Sequence, residues 1–192
     1  MSASFWFLES KKTAELMVEG KSKKEIEILA LNENFYQFNS KRRIKRVSNN
    51  IYRRLNHFSK NLLELFLRLD SNSAKIFVLI SILVDDKLFF EFMYGIFKDK
   101  IILGDLTLKQ KDFDIFFNNK INESDIVAKW TETTINKLKS IYRKILFEAG
   151  IIKEVDDGWN IIIPLIDLNL QKQLIDEGYG PVLYAITGEK LY

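Results

Sequence analysis

The chain has 192 residues, of which 47% are hydrophobic and 29% charged, and it carries a net charge of +3. This composition is typical of globular proteins and excludes wholesale disorder, while the length allows one large core or two small packed subdomains. The chain has no cysteine, which excludes disulfides, zinc ribbons and thiol nucleophiles and favours a reducing compartment.

The hydropathy pattern predicts neither a membrane span nor a secretory signal. The longest strongly apolar stretch, Ile76–Val84, stops at Asp85 and is much shorter than the roughly 20 residues that cross a bilayer. The opening residues MSASFWFLESKK carry no positive charge ahead of their apolar residues, unlike a signal peptide. We therefore expect a cytoplasmic protein that makes no membrane contact.

Apolar residues spaced about 3.6 positions apart predict helices through most of the first 105 residues. Gly20 is expected to end the first helix, and Ser22 with Glu25 forms a capping box for the second. Asn39 or Ser40 caps a third helix. The predicted helices cover approximately residues 7–20, 22–31, 40–55, 60–69, 73–84 and 86–98.

The C-terminal third has a different order of predicted elements. Thr107 with Gln110 suggests a capping box, and the predicted helices cover approximately residues 110–119, 124–129 and 131–150. A β-hairpin with an Asp-Gly turn is expected next, closed by Pro164. A last helix over 165–175 and an irregular tail from Gly178 complete the prediction. Helices followed by a hairpin are typical of a winged helix-turn-helix unit.

The predicted fold class is mainly α. Two packed helical subdomains are expected, each containing a helix-turn-helix element. The N-terminal subdomain covers residues 1–105, and the C-terminal one, winged by the short hairpin, covers 106–192.

Positive charge is concentrated around the third predicted helix. Residues 34–63 carry eight basic side chains and no acidic one, and such asymmetry indicates a polyanionic partner. At 100° per residue, one face of the helix is apolar and the opposite face is polar. The central polar residues are Arg42, Arg46, Asn49 and Arg53. The flanking residues are Lys41, Arg43, Lys45, Asn50 and Arg54.

Two interpretations of this basic helix compete, a solvated surface and a nucleic-acid contact. Most charged helix faces are solvated, but they usually mix signs at i and i+4. Here Lys41 with Lys45 and Arg42 with Arg46 are like-charge pairs, each costing about 0.2–0.5 kcal/mol. Bound phosphates would relieve this repulsion, and guanidinium groups suit phosphate and guanine. We therefore favour nucleic acid.

The long helix of the C-terminal third is a second candidate surface. Its basic residues are Lys137, Lys139, Arg143 and Lys144. Glu132 and Glu148 lie on the same helix, so a structural role and a binding role are equally supported. The predicted hairpin tip, Asp156 and Asp157, would repel phosphate, so we expect the helix face rather than the tip to bind DNA.

No catalytic, metal-binding or cofactor-binding site is predicted. His57 is the single histidine, which excludes metal sites with several imidazole ligands. The paired carboxylates at 85–86, 112–114 and 156–157 are interpreted as helix starts and a turn.

Four stretches resemble the small BrxA-like proteins of bacteriophage-exclusion (BREX) defence systems. They are FWFLESKKTAELM, KRRIKRVSNNIYRRL, DFDIFFNNK and WTETTINKLKSIYRKILFEAGII. The resemblance covers nearly the whole chain and implies a mostly helical protein that binds double-stranded DNA, has no chemistry of its own and works with other BREX components. RNA binding and a protein-adaptor role remain alternatives, and we expect a monomer.

Overall fold

Helices dominate the computed structural model, which describes residues 4–190 and confirms the predicted mainly α fold. The predicted ranges 1–105 and 106–192 include terminal residues outside this description, and their division stays a prediction. The first seven helices are α1 (Phe7–Val18), α2 (Lys23–Glu33), α3 (Lys41–Leu55), α4 (Lys60–Arg68), α5 (Ser71–Asp85), α6 (Lys87–Phe92) and α7 (Lys98–Ile102), with a π-helical turn (Met93–Phe97) joining the last two. The others are α8 (Gln110–Glu123), α9 (Asp125–Ala128), α10 (Glu132–Ala149), α11 (Leu168–Asp176) and α12 (Gly180–Thr187).

Side-chain caps fix several helix starts where the sequence predicts them. Ser22 and Glu25 form the predicted capping box of α2, in which the Ser22 backbone donates to Glu25 at 2.8 Å. Ser40 accepts a hydrogen bond from the backbone of Arg43 and begins α3. Thr131 accepts one from Thr134 and begins α10. Each cap satisfies a backbone N–H that has no partner inside the helix.

A small antiparallel sheet lies beside α10. Its strands are β1 (Thr107–Leu108), β2 (Ile152–Val155) and β3 (Gly158–Ile161), in the order β1-β3-β2. β2 and β3 form the predicted hairpin around Asp156 and Asp157. Gly158 has φ +120°, and a Cβ there would lie 2.5 Å from the Leu108 carbonyl oxygen. Glycine is therefore required where β3 approaches β1.

Two predictions for the C-terminal third are wrong. Thr107 does not cap α8 but belongs to β1. The side chain of Asp112 instead accepts a 2.6 Å hydrogen bond from the backbone of Lys109, at the start of α8. The tail from Gly178 is not irregular, because α12 follows it with Pro181 in its first turn and most of its residues buried. Proline is tolerated there because first-turn N–H groups have no intrahelical acceptor.

The main apolar core extends from Phe5 to Ile186, and a smaller separate cluster joins Ala30, Tyr36 and Ile44. Helix α5 is at the centre of the main core, and nine of the ten residues from Ala74 to Leu83 are buried, all except Lys75. It contacts α3 on one side and α10 on another, and α12 contacts both α5 and the π-helical turn. The core therefore connects the two helices that carry the predicted binding residues. No helix between residues 4 and 190 combines the length and apolar composition of a bilayer span.

Candidate nucleic-acid interface

Helix α3 buries one face and exposes its basic side chains on the other. Ile44, Val47, Ile51 and Leu55 are at most 3% exposed, and the helix contacts α1, α2 and α5. The exposed cations are Lys41, Arg42, Arg43, Lys45, Arg46 and Arg53. The amphipathic pattern in the sequence therefore predicts correctly which side of α3 faces solvent.

Tertiary contacts bring carboxylates to part of this face, so its expected freedom from acidic groups is wrong. Arg53 forms an ion pair with Asp85 at the end of α5, with Nε and Nη2 each 2.7 Å from a carboxylate oxygen. Lys45 Nζ lies 3.3 Å from Glu27 of α2, and Asn49 Nδ2 lies 3.3 Å from the same carboxylate. The C-terminal half of α3 is therefore partly neutralised.

The N-terminal half of α3 keeps its positive charge. Among the described residues, no carboxylate lies within 4 Å of the charged nitrogens of Lys41, Arg42, Arg43 and Arg46, and we call these four residues the basic end. Its cations surround a helix N-terminus, whose dipole already carries partial positive charge. The guanidinium carbon of Arg43 also lies 4.2 Å from the ring centroid of Phe38. A bound anion would relieve the repulsion at this position.

The two asparagines of α3 use their amide donors within the helix. Asn49 donates to the carbonyl of Lys45 at 2.9 Å, and Asn50 donates to that of Arg46 at 2.8 Å. Both side chains are half-buried. Asn49 uses its other donor toward Glu27, so a base could contact these amides through their oxygens or the second donor of Asn50 without breaking the helix bonds.

Arg54 does not belong to the exposed face, and its predicted place on the edge of that face is wrong. It is 4% exposed, and its Nη1 donates to the carbonyl of Ser4 at 2.9 Å. Its guanidinium lies 5.2 Å from the ring centroid of Trp6. Burial lowers the pKa of Arg54 to about 10, which leaves the group charged at neutral pH. Arg54 anchors the segment before α1 to α3.

The carboxylate pair after α5 has two different environments. Burial raises the pKa of Asp85, but the hydrogen bond and charge of Arg53, with help from Arg54 and His57, outweigh burial and leave that pKa lowered. Asp86 begins α6 by accepting from Phe89 N at 3.1 Å, as predicted for a helix start. Burial, aided by the charge of Asp85, raises the pKa of Asp86. The single histidine, His57, lies 3.6 Å from Asp85.

The predicted cations of α10 are less available than those of the basic end. Lys139 is paired with Asp114 at 2.7 Å and its side chain is 13% exposed. Arg143 lies over the ring of Trp159 in β3, 5.0 Å from its centroid. Lys137 is exposed, and the exposed Lys144 lies 3.9 Å from Glu148.

A groove brings the two predicted surfaces together. Its walls are formed by the segment before α1, the first turn of α1, and side chains of α3, α5 and α10, around a volume of about 540 Å³. Arg43 of α3, Lys75 of α5 and Lys144 of α10 all line it. Through Arg43, the basic end of α3 is therefore continuous with the C-terminal half of the α10 surface.

Comparison with known proteins assigns the family. The sequence model of the BrxA family matches residues 1–178. A curated relative, "BREX protein BrxA" of Bacillus cereus (strain H3081.97), is 37% identical over 183 residues, covering 95% of this chain and 92% of the relative.

The chain belongs to the BrxA family. A crystal structure of an uncharacterized protein from Magnetospirillum magneticum shares the fold of this BrxA-family chain, with a TM-score of 0.81. The two proteins are 21% identical, and the match covers 97% of this chain and 95% of the other. The comparison therefore supports the architecture described above and carries no functional assignment.

Sequence reasoning on this BrxA-family chain missed Lys75, Asp85 and Glu27 as parts of the surface. Lys75 lies in α5, whose central residues are otherwise almost all apolar. The sequence therefore indicates a buried structural helix rather than part of a binding surface. A charged residue in a core-forming helix is costly unless it reaches solvent, and that rule is the signal that would have found Lys75. The two carboxylates carry no such signal, because their partners are distant in sequence.

Proposed function

We propose that this protein is a double-stranded DNA-binding accessory protein of a BREX phage-defence system and has no chemistry of its own. The observation that carries the proposal is the basic end of α3, where Lys41, Arg42, Arg43 and Arg46 are exposed without a carboxylate within 4 Å among the described residues. An unneutralised cationic cluster at a helix N-terminus suits phosphate. Membership of the BrxA family and the BREX designation of the Bacillus cereus relative support the setting in phage defence.

The C-terminal third supports a second contact. We infer that β1, α8, α9, α10, β2 and β3 form a winged helix-turn-helix unit in which α10 faces DNA. Lys137 and Lys144 are the exposed cations of α10. Lys139 and Arg143 would contact DNA only after they leave Asp114 and the ring of Trp159. The ion pair between Lys109 and Asp157 reduces the negative charge at the hairpin tip.

Salt dependence is the sharpest test of the DNA assignment. If the two helices neutralise about five phosphates, log affinity falls with log salt at a slope of about −4 to −5. The double variant Arg42→Glu/Arg46→Glu is expected to lose binding while keeping its helical circular dichroism. Lys87→Glu/Lys172→Glu makes the same charge change at exposed positions of α6 and α11 and serves as the control. Equal loss in both variants, or in neither, contradicts the assignment.

The same titration separates the alternatives. A basic helical surface does not by itself sense the 2′-hydroxyl, so duplex RNA of equal length is the necessary competitor. Preference for RNA assigns the surface to RNA. Stable copurification with a BREX component, without retention on either nucleic acid at physiological salt, assigns it to a protein-adaptor role. Monomeric state and cytoplasmic location remain predictions.

A further inference from the structure

Two cavities meet at an exposed aromatic side chain on α10. Phe147 is 57% exposed and lines both the groove of about 540 Å³ and a smaller cavity of about 240 Å³ against the hairpin. Lys144 also lines both. The smaller cavity adds Arg143 and Trp159 to the lining. We call the combined feature the aromatic groove.

Several apolar groups of the aromatic groove are accessible to solvent. Leu8 is 75% exposed on the opposite wall, and Trp6 and Trp159 are half-buried. Covering an exposed aromatic ring such as that of Phe147 with a flat apolar group is energetically favourable. The groove therefore suits a ligand with flat, partly apolar faces.

The charged groups of the aromatic groove favour a ligand that also carries negative charge. Four cations line the two cavities, Arg43, Lys75, Arg143 and Lys144, and they come from three helices. Arg43 belongs also to the basic end of α3, so the groove continues the proposed duplex surface. Cations alternating with aromatic rings are typical of surfaces that bind unstacked nucleotides.

Three carboxylates share the groove and oppose an anionic ligand. Glu9 and Glu148 line the larger cavity, and Glu154 lines the smaller one. Burial raises the pKa of Glu148, Lys144 opposes that shift and Glu9 adds to it. Burial therefore makes the charge on Glu148 less favourable than on a free carboxylate, and the four cations outnumber the three carboxylates.

We propose that the aromatic groove binds unpaired nucleotides that adjoin a bound duplex. A base stacks on Phe147, and the phosphates on either side contact Lys144, Lys75 and Arg143. Base pairs inside a duplex do not fit this description, because neighbouring pairs cover both of their faces, whereas an unpaired base can present a free face to Phe147. This inference rests on the proposed duplex binding and adds a second ligand to it.

The experiment compares three fluorescent DNAs: a blunt duplex, the same duplex with a six-nucleotide single-stranded extension, and the extension alone. The extended duplex is expected to bind at least about fivefold more tightly than the blunt duplex. Phe147→Ala is expected to abolish this gain while leaving blunt-duplex affinity unchanged, and Phe147→Trp to keep it. Leu168→Ala removes an apolar side chain that is 79% exposed on α11, outside the proposed DNA-binding unit, and serves as the control. 2-Aminopurine placed in the extension reports stacking through quenching of its fluorescence. The quenching is expected in the unaltered protein and in Phe147→Trp, and is expected to be lost in Phe147→Ala.

The outcomes separate this inference from the proposed function. Equal binding of blunt and extended duplexes by the unaltered protein overturns the inference and leaves duplex binding intact. The inference is likewise overturned by a gain that survives in Phe147→Ala, or by loss of a protein partner from that variant without a change in DNA affinity. Binding of the extension alone through Phe147, without duplex binding, supports the groove and overturns the proposed function. Absence of binding to all three DNAs overturns both.

Discussion

Arg53 donates two hydrogen bonds to Asp85, from Nε and Nη2, each 2.7 Å long, across 32 positions of sequence. The guanidinium that the sequence places at the centre of the DNA surface is therefore held by a carboxylate at the end of α5. Bidentate pairs of this kind are among the stronger charge-assisted contacts. While this pair is intact, Arg53 can offer a phosphate only the donors that Asp85 leaves free, the two of Nη1 and one of Nη2.

Replacing Asp85 by asparagine is expected to release Arg53 for DNA. The duplex affinity should rise, and the salt dependence should steepen by about 0.9 units of slope for one additional phosphate. Stability should fall by about 1 kcal/mol, because Arg53 is largely exposed and regains solvent. Binding isotherms at several salt concentrations measure both effects on affinity. The control is Glu64→Gln, which removes a carboxylate paired with Lys60 on α4 and should leave the salt slope of the unaltered protein unchanged. The prediction would be contradicted if Asp85→Asn also showed the slope of the unaltered protein.

Asp85 and Asp86 are expected to give opposite dependences of stability on pH. The pKa of Asp85 is lowered in the folded protein, so its stabilisation is present above the unfolded pKa of about 4 and is lost as pH falls through the folded value. The pKa of Asp86 is raised, so stability is lost as pH rises through its folded value.

Thermal unfolding between pH 3 and pH 7 tests these signs. Asp86→Asn keeps a good cap for α6 without an ionisable group, so its melting temperature should equal or exceed that of the unaltered protein at pH 7. Asp85→Asn should be less stable at pH 7, and this difference should shrink in acid. Asp86→Ala removes the cap and should lose about 1 kcal/mol. Identical pH profiles for the two asparagine variants would refute the assignment of the shifts.

Arg54 should affect stability rather than DNA binding. Arg54→Met preserves much of the side-chain volume but leaves the carbonyl of Ser4 without this donor, so we expect a loss of about 2 kcal/mol in the free energy of unfolding. The salt slope of duplex binding should not change. Arg42→Met, at an exposed position of the basic end, should show the reverse pattern. Chemical denaturation and salt-dependent binding are measured on both variants. A smaller salt slope in Arg54→Met than in the unaltered protein would contradict the prediction and indicate that Arg54 contacts DNA.

The hydroxyl of Tyr142 is a buried polar group that has no hydrogen-bond partner among residues 4–190. Its ring stacks on Phe89 with centroids 4.1 Å apart, and burial raises the pKa of the phenol. Tyr142→Phe keeps the stacking and removes the unsatisfied group, so we expect a gain of about 1 kcal/mol. Tyr36→Phe is the matched control, because the Tyr36 hydroxyl bonds Thr13 at 2.7 Å and its removal should destabilise. Denaturant unfolding measures both changes. Equal losses in the free energy of unfolding for Tyr142→Phe and Tyr36→Phe would contradict the prediction that only Tyr36→Phe destabilises.

Local sequence signals predicted most helices because their causes are local. The capping box at Ser22 and the caps at Ser40 and Thr131 each depend on residues within three positions, and the apolar stripe of α3 depends on a single helical period. Pro181 misled the prediction, since proline ends a helix at most positions but begins one in the first turn. β1 was missed because two residues carry too little pattern to indicate a strand.

The charge environment of the candidate site was not predictable from one sequence. Glu27 reaches Lys45 and Asp85 reaches Arg53 only because α2 and α5 pack against α3. The burial of Arg54 has the same origin, since its neighbours lie in the segment before α1. Helical periodicity placed Arg54 near the edge of the polar face, and the identity of the element packed over that edge decided its exposure.

Helix α5 contacts both α3 and α10, so the distance between the two basic helices is fixed by the hydrophobic interior. Two binding helices on one support act as a bivalent ligand, in which the second contact is intramolecular and its strength depends on spacing. Phe77 of α5 is fully buried, so Phe77→Ala would loosen this support and weaken the proposed DNA binding although it removes no charge. In the DNA complex proposed for this BrxA-family protein, the core would set the spacing at which α3 and α10 reach the duplex.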